Sequence, residues 1–138
     1  MTPFTLDTAA HVLADTMPGC VRGLNLTVEK LEDGHATLRM PYSDMACREG
    51  GIFSGQALAA LADTSMCFAV WMDGRGRRPV ATVDLHVTYL RGAGGEDLLA
   101  RAQLIRSGKT LAFARVDIVL AGSGKEVASA VATFGLPA

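Results

Sequence analysis

The chain is poor in cysteine and has no excess of charge, and each shortage removes a class of function. Its three cysteines, Cys20, Cys47 and Cys67, lie far apart and form no CxxC pair, so neither a zinc site nor a disulfide framework is implied. Acidic and basic residues nearly cancel, leaving a formal net charge of −1. Without a basic stripe the chain lacks the electrostatic footprint of a nucleic-acid binder. No apolar run reaches the ~20 residues that a membrane helix needs, because Asp63, Asp73 and Arg75 interrupt the best candidate. The first residues carry no basic stretch followed by an apolar one, so no secretory signal is expected, and the cytoplasm is the expected compartment. His11, His35 and His86 stand in no setting that suggests a serine–histidine triad.

What is present is a chain of 138 residues, 49% of them apolar, a length that fits one domain (residues 1–138) with a sound core. Residues 6–17 read as an amphipathic helix with Leu6, Ala9, Ala10, Leu13 and Met17 on one face, ended by Pro18-Gly19. A strand is expected near 21–31, an Asp33-Gly34 turn, and a strand at 35–41 where Ala36, Leu38 and Met40 alternate with polar residues. Residues 42–53 read as a loop, and 55–72 as a long helix so apolar that it must be buried on nearly every side. Strands follow at 79–91, 96–107, 109–121 and 125–135, separated by glycine-rich links. Short links require antiparallel neighbours, so an antiparallel meander wrapped around the long helix is the expected architecture.

The most informative stretch is the long helix. Ser54 stands where an N-cap belongs, Gly55 opens the helix, and two turns later Asp63 is a single carboxylate among alanines and leucines. An isolated buried charge is costly, so Asp63 calls for a partner, either structural or chemical. Unpaired N–H groups at the helix start can polarise a carbonyl or hold an anion.

Three segments in this order resemble the hotdog-fold acyl-CoA thioesterases, in particular the phenylacetic-acid-degradation branch. They are residues 50–70, the strand Val80 to Arg91, and the hairpin Arg106-Ser107-Gly108-Lys109-Thr110-Leu111-Ala112-Phe113. The resemblance implies an α+β hotdog fold, with five to six antiparallel strands around one central helix, and hydrolysis of an acyl- or aryl-CoA to the free acid and coenzyme A. It implies no metal and no other cofactor, coenzyme A being part of the substrate. Asp63 matches the catalytic carboxylate and Gly55 the residue whose amide polarises the thioester carbonyl. Thr82 matches a hydroxyl that places the attacking water. Tyr89, Leu90, Arg91 and Gly92, with Arg106, Ser107, Gly108, Lys109 and Thr110, match segments that line the coenzyme A groove. Around the helix start, Arg48 stands for the family's asparagine, Ser54 for its histidine and Gln56 for a glycine. These three are expected to touch substrate. A non-catalytic acyl-CoA-binding hotdog protein is the alternative.

Several readings stay open at this level. Asp63 could act as base or as nucleophile. Arg48 could be solvated, touch the substrate, or pair with Asp63. Arg75, Arg77 and Arg78 read as a solvated basic loop. Strict alternation puts Thr82, Asp84, His86 and Thr88 on one strand face and Val83, Leu85, Val87 and Tyr89 on the other, which turns Thr82 away from its own helix. Eight residues of helix span about 12 Å, too far for one chain's Gly55 and Asp63 to serve the same thioester. A homodimer with two composite sites is therefore expected, and dimers could pair further into a homotetramer.

Overall fold

The computed structural model describes residues 3–137. Helix α1, Leu6–His11, is capped by the Thr5 side chain, which accepts from the Thr8 N–H, and runs into a wider π turn at Val12–Thr16. Its buried face consists of Ala9, Val12 and Leu13, whereas Leu6 and Ala10 stay open. After Pro18 the short helix α2, Gly19–Arg22, interrupts the expected strand, and β1 begins only at Thr27. The period explains the difference. Buried Val21 and Leu24 are three apart, a helical spacing, and Asn25 then turns the chain with φ of 55°.

Strands β1, Thr27–Glu32, and β2, His35–Met40, form a hairpin about Gly34, whose φ is 67°. Ala36, Leu38 and Met40 point inward as the alternation requires. Within the 42–53 segment, two-residue strands β3, Cys47–Arg48, and β4, Ile52–Phe53, pair across a tight turn at Gly50-Gly51. The long helix α3, Gly55–Trp71, follows, with β5, Ala81–Tyr89, β6, Leu98–Ser107, β7, Leu111–Leu120, and β8, Glu126–Gly135.

The six long strands form one antiparallel sheet in the order β1-β2-β6-β7-β8-β5. The meander expectation is thus corrected at one link. β5 pairs with β8 at the sheet edge, and β6 inserts between β2 and β7. The segment from Leu90 to Asp97 is a crossover past the start of α3, where Phe53 N–H donates to the Ala93 carbonyl at 2.8 Å. Gly94 is forced by that crossing, since a Cβ there would collide with the Gly51 carbonyl oxygen.

The sheet's inner face is lined at its centre by small residues, among them Ala100, Ala102, Ala112, Ala114, Ala130 and Ala132, all buried. Small side chains let α3 settle close to the strands, where Leu61, Met66 and Phe68 fill the core. Phe4 closes the far side, edge-on to Phe68 and Trp71 at 5.1 Å each. Only Gly55, Gln56, Ala59, Ala60, Asp63 and Cys67 are less than fully buried along α3. The spacing from Gln56 through Ala59, Ala60 and Asp63 to Cys67 places those residues on one open stripe. No helix among the described residues is long and apolar enough to cross a membrane.

Candidate active site

The end of α3 is fixed by a buried ion cluster. Asp73, its side chain 2% exposed, receives Arg78 Nη1 and Nη2 at 3.1 and 2.7 Å, the Arg75 amide at 2.9 Å and the Ser107 hydroxyl at 2.7 Å. Arg77 lies over the Trp71 ring at 5.5 Å. The solvated reading of this basic loop is corrected: one carboxylate gathers two of its arginines, and an indole face takes the third. Burial alone would raise the Asp73 pKa, but the hydrogen bonds from Arg78, Ser107 and the Arg75 amide prevail and hold it below the ordinary carboxylate value. A lowered folded pKa means that this contribution to stability is complete above the unfolded value of about 4 and is lost as pH falls through the folded one. Thermal unfolding is expected to be insensitive to pH near neutrality and to weaken below about pH 4. Asp73→Asn, which leaves Arg78 without its counter-charge, is expected to cost about 2–3 kcal/mol and to flatten that acid limb. Calorimetry across pH checks both.

Asp63 stands on the open stripe of α3 and accepts the Thr82 hydroxyl on Oδ1 at 2.9 Å. Strict alternation along β5 turns Thr82 outward, and the structure reverses this. A β-bulge between Thr82 and Asp84 lets Val83 take no partner on β8, so Thr82 pairs with inward Phe134 while Asp84 pairs with Thr133. One extra residue flips the phase of everything before it. The carboxylate and hydroxyl border a hollow of about 170 Å³.

Cys67, one turn beyond Asp63, also lines this hollow. Burial pushes its thiol up to about 12, and the Asp63 charge adds to the effect. A thiol held protonated is not a nucleophile, so chemistry here falls to Asp63. The i, i+4 spacing from Asp63 was the signal that could have placed Cys67 in the site. Met17, Pro18 and Val21, on the opposite wall, carry no comparable sequence signal.

The other candidates gather two turns away, at the start of α3. Ser54 is the N-cap, its Oγ accepting from the Ala57 N–H at 3.1 Å. Tyr89 donates its hydroxyl to the Gly55 carbonyl at 2.9 Å. As the first helical residue, Gly55 has an N–H with no partner inside the helix. Leu90 and Arg91 both donate their amides to the Val127 carbonyl, and Gly92 packs against Ile52. Gln56 and Arg48 are exposed beside this end, and among the described residues Arg48 makes no ion pair with Asp63.

Arg106, Ser107, Gly108, Lys109 and Thr110 lie at the opposite end of the sheet. Tyr89 is level with Ala128, whereas Ala81, Gly135 and Leu111 share the other edge of the ladder. Eight steps of strand separate those levels by roughly 26 Å. One protomer therefore brings Asp63 together with Thr82, and Gly55 together with Tyr89, but not either pair with the other. Ser107 is engaged by Asp73, while Arg91, Arg106 and Lys109 are exposed.

The sequence profile of the Thioesterase superfamily matches residues 50–127, from the Gly50-Gly51 turn to the start of β8. Human acyl-coenzyme A thioesterase 13 is 31% identical over 104 residues, covering 75% of this chain and 74% of its own length. A Halobacterium salinarum protein bearing an esterase's name is 36% identical over 130 residues, covering 86% of this chain and 83% of its own. The crystal structure of zebrafish thioesterase superfamily member 2 superposes with a TM-score of 0.87 at 33% identity, covering 97% of this chain and 99% of that one.

Proposed function

This chain belongs to the thioesterase superfamily, and from that footing we propose that it is an acyl-CoA thioesterase whose sites are shared between two subunits. The observation that carries the proposal is the Thr82–Asp63 pair opening on an apolar hollow, in a chain related to a named acyl-coenzyme A thioesterase. Thr82 occupies Oδ1 and so orients the carboxylate, and Oδ2 is the oxygen that takes a proton from water. The hydroxide attacks the thioester carbon, and charge moves to the carbonyl oxygen. An amide N–H at a helix start, already oriented, stabilises that oxyanion without reorganisation. Collapse of the tetrahedral intermediate breaks the C–S bond, and the proton held on Asp63 passes to the departing sulfur, so coenzyme A leaves as its thiol and the carboxylate is restored. No metal or redox cofactor enters this scheme.

The amide in question is assigned to Gly55 of the partner subunit. Support comes from β5, an edge strand that has no outer neighbour among the described residues and exposes Val83 and Tyr89, with Leu90 exposed just after it. Unpaired edges of this kind invite pairing with another chain. Antiparallel pairing of two β5 edges about a two-fold axis would set the Tyr89 end of one subunit beside the Ala81 end of the other. The stripe of Gln56, Ala59, Ala60 and Asp63 would then face its own copy. The same operation would unite Tyr89, Leu90, Arg91 and Gly92 with the partner's Arg106, Ser107, Gly108, Lys109 and Thr110, where basic side chains suit the coenzyme's phosphates.

The test is release of free thiol from a panel of acyl-CoAs, together with sedimentation of the unliganded protein. Thiol release by a dimer or a higher assembly of dimers agrees with the proposal. Acyl-CoA binding without thiol release would mark a carrier or sensor instead, and an active monomer would refute the shared site.

A further inference from the structure

The hollow at Asp63 has two unlike walls. One is built by α3 and the sheet, through Thr64, Cys67, Val80, Thr82 and Phe134; the other is Met17, Pro18 and Val21. This second wall lies outside residues 50–127, the part that matches the superfamily profile. It is held in place by the chain's own geometry. The π turn closes with the Met17 N–H on the Val12 carbonyl at 3.3 Å. Met17 and Pro18 then run extended, with ψ of 153° and 154°, and α2 brings buried Val21 back over the hollow. Arg22 Nε fastens the turn by donating to the Met17 carbonyl at 2.8 Å. A π turn inside a helix is often found where a side chain has a task.

In the proposed reaction, on which this inference rests, the carbon attacked by the Asp63-activated water carries the acyl group. The acyl chain must therefore begin at Asp63, and the hollow bordered by that carboxylate is where it goes. The hollow is open to the protomer surface, and its 170 Å³, set beside the ~150 Å³ of a closed cavity that holds one benzene ring, gives the part of an acyl group that these walls bound roughly six or seven carbon atoms. Apart from Asp63, Thr64 and Thr82 the lining is apolar, and no lysine or arginine borders it. An acyl group ending in a carboxylate would meet the Asp63 charge there, while Arg77 and Arg78, whose charges reach Cys67, line the adjoining hollow beyond Val80 rather than this one. We infer that Met17, Pro18 and Val21 form the wall that measures the acyl group, selecting uncharged acyl-CoAs of about six or seven carbons.

The experiment is kcat/KM for thiol release from straight-chain acyl-CoAs, acetyl to palmitoyl, and from succinyl-CoA, in wild type, Met17→Ala and Val21→Phe. For the wild type, each added methylene that enters the hollow should raise kcat/KM about fourfold, with the rise ending near six or seven carbons. Met17→Ala should move that break to longer chains and Val21→Phe to shorter ones. Succinyl-CoA should fall at least tenfold below butyryl-CoA. An active wild type whose rate keeps rising past decanoyl, or a break shared by wild type and the folded variants, overturns this inference and leaves the thioesterase reading standing. Absence of thiol release from every wild-type assay removes both. Should Val21→Phe fail to fold, the half-buried Met17 decides through Met17→Ala.

Discussion

Asp63→Asn is expected to lower kcat for thiol release by 10²–10⁴, the range that general-base catalysis supplies. KM should change little, because the substitution removes neither the hollow nor any basic side chain at the strand ends. The fold should survive. Asp63 lies on the open stripe of α3, and an asparagine carbonyl can still accept the Thr82 hydroxyl that now sits at 2.9 Å. No neighbouring group is placed to substitute. The Cys67 thiol, raised to about 12 first by burial and then by Asp63 itself, stays protonated even when the aspartate's contribution is gone. Rates measured on folded protein, with melting curves alongside, check this; an asparagine variant within twofold of wild type would mean that Asp63 is not the base.

The second large effect concerns a hydrogen atom on a backbone nitrogen. Gly55→Pro deletes that donor, and loss of one oxyanion-stabilising N–H is expected to cost 10²–10³ in kcat. The position suits proline: it is the first helical residue, and Ser54 before it already has φ −76° and ψ 151°, the extended backbone that a residue preceding proline needs. Gly55→Ala is the control. It keeps the N–H and adds a Cβ 3.4 Å from the Tyr89 ring and hydroxyl, so it reports the packing cost alone. Comparable losses in both variants would assign glycine a packing role and remove the amide from the mechanism.

How far the sequence carried this account varies with the kind of signal. The long helix, its Ser54 cap and its Asp63 were legible because each is local: a period, a capping residue, a charge among apolar neighbours. The inward face of β2 was legible for the same reason. What escaped were events set by single residues out of phase. Val83 is an unremarkable strand residue, yet the bulge it creates turns Thr82 from the outer face to Asp63. The place of β5 beside β8 rather than β6 depends on where a glycine-rich crossover runs, and an antiparallel hairpin could use the same glycines. Arg75 and Arg78 lie close to Asp73 in the chain, but its third partner, Ser107, is 34 positions away, beyond any local pattern. Met17 and Val21 looked like ordinary apolar residues around a proline, since nothing in their spacing says that they border a hollow.

Joining two crippled variants tests the shared site most directly. Asp63→Asn and Gly55→Pro subunits are co-expressed with different tags, and thiol release is measured for each homodimer and for the random mixture. In a mixed dimer one site contains both replacements and the other contains neither. Half of the dimers being mixed and half of their sites intact, activity should return to about a quarter of wild type. A mixture no more active than the two inactive homodimers would place both groups in one protomer and contradict the account.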